Sequence, residues 1–131
     1  MDILNIAGAG RVGFTSAERA EIDAVCNGAL HFMDATLGGD GSIPLFNDSA
    51  FDIAPEPRAL LDYGAAVGGY DPLPQADELR SIAMPACGYF CYRCNGDSLI
   101  LDCGEIGPDY QHGHAHCDTL SFEICRAGQR G

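Results

Sequence analysis

Tyr89-Phe90-Cys91-Tyr92-Arg93-Cys94-Asn95-Gly96-Asp97-Ser98-Leu99-Ile100-Leu101-Asp102 is the stretch on which the fold turns. Its aromatic and branched side chains suit a pleated, half-buried backbone. Asn95-Gly96 tolerates the positive φ angles of a tight hairpin turn. The sequence therefore predicts a strand over residues 89–94, a turn at Asn95-Gly96-Asp97 and a returning strand over residues 98–102.

Upstream the apolar period is helical. Thr15-Ser16-Ala17-Glu18 reads as a capping box, in which the Thr15 oxygen and the Glu18 carboxylate satisfy each other's exposed amides. Behind it Ile22, Val25, Cys26, Ala29, Phe32 and Met33 recur at three- and four-residue steps. That spacing predicts one apolar stripe on a helix of about five turns. Gly38-Gly39-Asp40-Gly41 ends it, and a loop rich in Pro, Asn and Asp follows over residues 42–57. Pro57 suits the first turn of a second helix over residues 58–67, closed by Gly68-Gly69.

Downstream of the hairpin, a Gly/Pro/Asp loop over residues 104–113 leads into residues 114–125, expected as one long strand. Gly128-Gln129-Arg130-Gly131 reads as the start of another turn. A strand followed by half a hairpin connection implies an incomplete sheet, so the chain is expected to be a piece of something longer. The fold class expected is α+β, with N-terminal helices followed by an antiparallel β-sheet.

The chain has 131 residues, 47% of them apolar, which is enough for a core and argues against wholesale disorder. Nineteen acidic side chains against seven basic ones give a formal charge of −12, and every basic residue is Arg. That balance opposes nucleic-acid binding, which relies on cations neutralising phosphates, and a polybasic membrane patch. No window is long and apolar enough for a transmembrane helix, so no membrane insertion is expected. Met1-Asp2-Ile3-Leu4-Asn5 lacks the basic and apolar regions of a signal peptide. Seven cysteines (26, 87, 91, 94, 103, 117 and 125) leave disulfides, reduced thiols and a metal site all open, and the compartment with them.

Three patterns suggest chemistry. Gly8-Ala9-Gly10-Arg11-Val12-Gly13 matches the dinucleotide fingerprint, with Asp34 where a ribose-binding acid would fall about 20 residues on. The capping box starts the helix after those glycines, the residues before Asp34 continue a helix, and no further βαβ unit follows, so no nucleotide cofactor is expected. Cys87-x3-Cys91-x2-Cys94 has the spacing of a three-thiolate iron–sulfur site. On a strand Cys91 and Cys94 face opposite sides, so structural thiols are expected there and no iron–sulfur cluster. The third pattern is the strongest: His112, His114, His116 and Asp118 are spaced by two. If extended, they share one face, where imidazoles can converge on a metal ion or shuttle protons near neutral pH. A cupin-type metal-binding β module also uses His-x-His on a strand. Its usual Glu would fall at 120 or 121, where this chain has Leu120 and Ser121.

Gly113-His114-Ala115-His116-Cys117-Asp118-Thr119-Leu120-Ser121-Phe122-Glu123 resembles the signature of the heparinase II/III-type polysaccharide lyases. Leu45-Phe46-Asn47-Asp48-Ser49-Ala50-Phe51 resembles the segment where their helical domain gives way to the β domain. The strand at residues 88–94, the turn at Gly96 and Asp102-Cys103-Gly104 fit in order and spacing. The resemblance covers residues 17–131. It implies the end of an α/α toroid over residues 17–84 and the start of a β-sandwich over residues 85–131, with residues 1–16 unassigned.

The resemblance also implies an activity, β-elimination of uronate-containing polysaccharides, with an acidic polysaccharide as partner. By position His114 matches a catalytic histidine that faces the substrate cleft, His116 a ligand of structural zinc in some members, and Asp118 an orienting carboxylate, with His112 in support. The family's catalytic Tyr lies earlier on the toroid, and none of Tyr63, Tyr70, Tyr89, Tyr92 or Tyr110 sits in its motif. The chain alone is therefore expected to be inactive or nearly so. Full-length members are expected in the periplasm or cell envelope, while the lack of a signal peptide here leaves the cytoplasm open. Arg126 and Arg130 are candidates to offset the charge that repels an acidic polymer. The rival readings are a non-catalytic metal- or carbohydrate-binding β module and an inactive truncation product.

Overall fold

The computed structural model describes residues 5, 9, 13–74, 77–105, 110, 113 and 119–131. Among them are two long helices, α1 (Ser16–Thr36) and α2 (Pro57–Gly68), and five strands: β1 (Arg80–Met84), β2 (Tyr89–Cys94), β3 (Asp97–Asp102), β4 (Ser121–Arg126) and β5 (Gln129–Arg130). The strands form one open antiparallel sheet in the order β1-β2-β3-β4-β5. This is the α+β class expected. The chain divides into two compact units, one holding the residues up to Asp34 with Pro55–Leu73, the other Ala35–Ala54 with Pro74–Gly131.

In the helical unit the capping box forms as read. Glu18 Oε2 accepts from the Thr15 backbone N–H at 2.8 Å and from the Thr15 hydroxyl at 2.7 Å, while Thr15 Oγ1 accepts from the Glu18 N–H at 3.3 Å. The face that α1 buries is not the one expected. Val25 is 73% exposed and Phe32 40%, whereas Leu30 and Asp34 are buried. At 100° per residue Leu30 and Asp34 lie about a third of a turn round the helix from the centre of the apolar stripe.

Two contacts set the rotation. A Cβ on Gly64 would fall 2.4 Å from Leu30 Cδ1, so any larger residue there would make the Leu30 side chain shift. The Asp34 carboxylate accepts from the Tyr70 hydroxyl at 2.9 Å and from the Leu73 N–H at 2.8 Å. A buried carboxylate needs such donors, and they outweigh the burial of a few more methyl groups. Asp34 is thus spent on α1's own unit. The glycine fingerprint lies outside the described residues apart from Ala9 and Gly13. α2 begins on Pro57 and ends at Gly69, which takes the left-handed conformation (φ 66°) usual after a helix.

In the β unit the hairpin closes more tightly than expected. Cys94 pairs with Asp97, so Asp97 starts β3 and the turn is Asn95-Gly96 alone, with φ of 49° and 82°. Ala127-Gly128 repeats the device with φ of 50° and 72°, so the final turn starts one residue before the expected Gly128, and β5 pairs back on β4. The sheet also starts before the expected boundary at residue 85. β1 pairs with β2 from Arg80↔Arg93 to Met84↔Tyr89, in a region expected to be helical. Its strand potential is realised by the partner strand rather than by its own short sequence.

Pairing register aligns Ile82, Cys91, Ile100 and Glu123 in one row of the sheet, and Met84, Tyr89, Asp102 and Ser121 in the next. Phe46 packs on this face with Cys91 and Ile100 as the core, flanked by Ile82, Met84 and Tyr89. The other face carries Phe90, Leu101 and Phe122 in one row and Tyr92, Leu99 and Ile124 in the next. Phe122 is 60% exposed.

The two faces should respond differently to truncation. Phe46→Ala is expected to destabilise the β unit by about 3–5 kcal/mol, the usual cost of emptying a buried aromatic site. Phe122→Ala should cost much less, about 1 kcal/mol or below. Urea denaturation of the two variants measures the contrast, and equal losses would contradict the assigned cover. The capping box predicts a pH effect. The two Thr15 hydrogen bonds hold the Glu18 carboxyl below its ordinary 4.5. A folded-state pKa below the unfolded one contributes stability above the unfolded value, lost as pH falls through the folded value. Acidification from about pH 5 to pH 3 should therefore fray the first turn of α1, seen as faster exchange of the Glu18 and Arg19 amides.

Candidate functional site

The segment 37–51 reaches the sheet through a series of polar attachments. The Gly39 N–H donates to Ser98 Oγ at 2.8 Å, and Arg93 donates to the Leu37 carbonyl. Asn47 adopts φ of 54°, a left-handed conformation that asparagine tolerates better than most residues. Its amide donates to Tyr89 Oη at 3.2 Å and lies 3.5 Å from Asp102 Oδ2. Asn47, Tyr89 and Asp102 thus form a polar cluster at the end of the sheet where β3 finishes and β4 starts. Asp102 is buried, with its Oδ1 accepting from the Gly104 N–H at 2.9 Å.

Burial, then the negative charge of Asp102, pushes the Tyr89 phenol up to about 12, against the opposing bond from Asn47. Near neutral pH Tyr89 is therefore an uncharged phenol, able to donate a proton in a hydrogen bond and unsuited to act as a base.

A second cluster lies around Arg130. Its Nη2 is 3.1 Å from Glu123 Oε2 and 2.9 Å from Ser42 Oγ, and it also donates to the Ile43 carbonyl. Nε is 3.7 Å from Asp40 Oδ2, and the guanidinium sits 5.2 Å from the centre of the Phe51 ring. Glu123 Oε1 accepts from the Leu45 N–H at 2.6 Å. Burial raises the Asp40 carboxyl, but bonds from Ser42 and Cys125 and the charge of Arg130 outweigh it and hold it below its ordinary value. Arg130 is thus engaged by two carboxylates of its own unit and is not available to offset the charge of an acidic polymer. Arg126 is exposed.

His112, His114, His116 and Asp118, on which the sequence reading placed its chemistry, lie outside the described residues. Their flanks are described. Thr119-Leu120 is a turn, with Leu120 at φ of 67°, and β4 begins only at Ser121. The single strand expected over residues 114–125 is therefore broken at 119–120. A leucine in the left-handed region cannot continue a pleat. The tail of the signature block divides its labour: Ser121 and Glu123 point to the covered face and Phe122 to the open one.

The cysteines of the iron–sulfur-like spacing are spread along the sheet. Cys87 is exposed in the β1–β2 turn, Cys91 is buried in the core, and the Cys94 thiol donates to the Asp77 carbonyl at 3.6 Å. Among the described residues no group of three or more His, Cys, Asp or Glu side chains could hold a metal ion. These residues supply no cradle for the zinc that the resemblance implies. No described helix is long and apolar enough to cross a membrane.

An open antiparallel sheet, packed by a segment that arrives from a helical region, is the class of structure the resemblance led one to expect. Residues 76–130 match the family model described as heparinase II/III-like, C-terminal. No curated protein and no solved structure matches the chain.

Sequence reasoning missed both polar clusters of the β unit. Asn47, Asp102 and Glu123 all fall inside the motifs that carry the resemblance, but nothing in a linear pattern shows that they meet. The thiols offer a check on the geometry. Burial pushes the Cys91 thiol up to about 11, and Cys125 is also buried, whereas Cys87 and Cys103 are exposed. A disulfide reagent should label Cys87 and Cys103 in the native chain and react at least about tenfold more slowly with Cys91 and Cys125 until the sheet unfolds. Peptide mapping after timed labelling reads the order.

Proposed function

We propose that the chain is the helix-to-sheet junction of a polysaccharide lyase that cleaves uronate-containing polymers by β-elimination. The observation that carries this reading is the family match over residues 76–130, which coincides with the five-stranded sheet. In such a reaction a base removes the proton on the carbon next to the uronate carboxylate. The electron pair forms a carbon–carbon double bond, and the glycosidic oxygen leaves as an acid protonates it. Donors that neutralise the carboxylate stabilise the carbanion that develops.

In this reading His114 faces the sugar and neutralises charge or moves a proton, His116 holds structural zinc, and Asp118 and His112 orient them. One imidazole cannot serve as base and acid at the right geometry without partners, so turnover requires groups beyond this chain. A formal charge of −12 repels an acidic polymer, with a range that salt shortens to about 8 Å at physiological strength. Binding should therefore strengthen as ionic strength rises from low values. The substrate-bearing site belongs, in this reading, in the periplasm or cell envelope.

A second reading is a non-catalytic, carbohydrate- or metal-binding β module. It is favoured by the extent of the match, which covers only a C-terminal domain.

One assay separates them. Mixed with a panel of uronate polysaccharides, the protein that carries this chain is expected to release products with the ultraviolet absorbance of an unsaturated uronate. His114→Ala should lower that release by about 10²–10⁴-fold, the usual worth of a proton-transfer group. No product from any uronan removes the lyase reading. Retained polysaccharide binding, or one zinc lost on His116→Ala, then selects the module.

A further inference from the structure

The segment that crosses the covered face changes character along its length. Leu37 at one end, and Pro44 and Phe46 at the other, are buried. Between them lies Gly38-Gly39-Asp40-Gly41-Ser42, a run with no apolar side chain and with glycine at three of its five positions. Burial of apolar side chains does nothing to hold this run in place. Glycine also loses more conformational freedom on ordering than any other residue. A stretch of this composition belongs at the low end of local stability.

Internal bonds make the run a unit. The Gly38 N–H donates to the Ser42 carbonyl at 2.8 Å and closes its neck, and the Gly41 N–H donates to the Gly38 carbonyl at 2.9 Å. Asp40 Oδ1 accepts from the Ser42 N–H at 3.0 Å and from the Ser42 hydroxyl at 2.7 Å. The ties from this unit to the sheet are polar. The Gly39 N–H donates to Ser98 Oγ, and the Cys125 thiol donates to the Asp40 carboxylate. Arg130 Nη2 donates to Ser42 Oγ at 2.9 Å, and its Nε lies 3.7 Å from Asp40 Oδ2.

What the unit covers is Cys125. A Cβ on Gly38 would fall 3.4 Å from the Cys125 sulfur, and one on Gly39 would fall 3.3 Å from the Cys125 Cβ and 2.0 Å from the Gly96 carbonyl oxygen. Cys125 is 3% exposed. Cys91 packs with Phe46 and Ile100 instead. The two buried thiols of this face therefore lie beneath different parts of one segment.

We propose that residues 38–42 are a flap that swings off Cys125 while the strands stay paired and Phe46 stays seated, with Arg130 as its latch. Leu37 and Pro44 bracket the moving part. Opening breaks the contacts of Arg130 with Ser42 and Asp40, and leaves the guanidinium with its partners outside the flap, Glu123, the Ile43 carbonyl and the Phe51 ring. This motion does not depend on the lyase reading.

The test is timed labelling of the native full chain with a dilute disulfide reagent, read by peptide mapping. With reclosing faster than labelling, each rate reports the population of the form that exposes that thiol. In the wild type, low urea should leave the Cys125 rate nearly flat and raise the Cys91 rate steeply, because a flap exposes little surface and an opened sheet exposes much. Ile100→Val weakens the core beneath Phe46 and leaves the flap untouched. It should speed Cys91 by about 2–10-fold and leave Cys125 unchanged. Arg130→Gln should speed Cys125 by about tenfold or more, the equilibrium effect of losing a charge-assisted hydrogen bond.

Should Arg130→Gln fail to fold, Ser42→Ala removes one acceptor of the latch and should speed Cys125 severalfold. Cys125 and Cys91 rates that rise together in urea and in Ile100→Val show that only sheet opening exposes Cys125, and overturn the flap. A Cys125 rate unchanged in both latch variants overturns the role of Arg130.

Discussion

A sheet with apolar side chains on both faces must bury at least one of them to stay folded, and in this chain the burial is supplied by Phe46. It lies on Cys91 and Ile100 at the middle of the covered face, where the surrounding residues are only partly buried themselves. Everything else about the segment 37–51 follows from keeping that ring in place. Arg93 and Ser98 hold its beginning. Glu123 and Arg130 hold its middle, and Asn47 takes a left-handed turn so that its amide meets Tyr89. Hydrogen bonds of this kind contribute little individually, but they remove the alternatives to one docked arrangement.

The same packing decides the electrostatics. Asp102 and Tyr89 are paired across β2 and β3, so covering this end with Phe46 and Asn47 buries a carboxylate beside a phenol. The phenol is forced towards its neutral form, and the carboxylate takes the Gly104 amide as a donor. A polar cluster made for docking thereby lies at the root of the connection that carries the histidines.

The hairpin, both helices and the α+β class were legible in the sequence, because each rests on local physics. Asn95-Gly96 can adopt the angles of a two-residue turn. Thr15 and Glu18 can satisfy each other, and Pro57 and Gly69 suit the two ends of a helix. The family resemblance was legible for the same reason, since its motifs are short runs in one dimension. What failed was inference that extended a local period too far. The long strand expected over residues 114–125 includes Thr119-Leu120, which form a turn. The spacing from Ile22 to Met33 predicts that stripe as the buried face of α1, whereas Leu30 and Asp34 are buried and Val25 and Phe32 exposed.

β1 was overlooked because five residues from Arg80 carry too little pattern until β2 lies beside them. Local sequence thus determined which backbone conformations the chain adopts, through propensities and caps that act over three or four residues. Tertiary structure alone decided which face is covered, that Asp34 and Arg130 serve as internal fasteners, and that Asn47, Tyr89 and Asp102 meet. Those outcomes depend on residues far apart in the chain competing for the same donors and the same buried space, and no window of sequence contains both competitors.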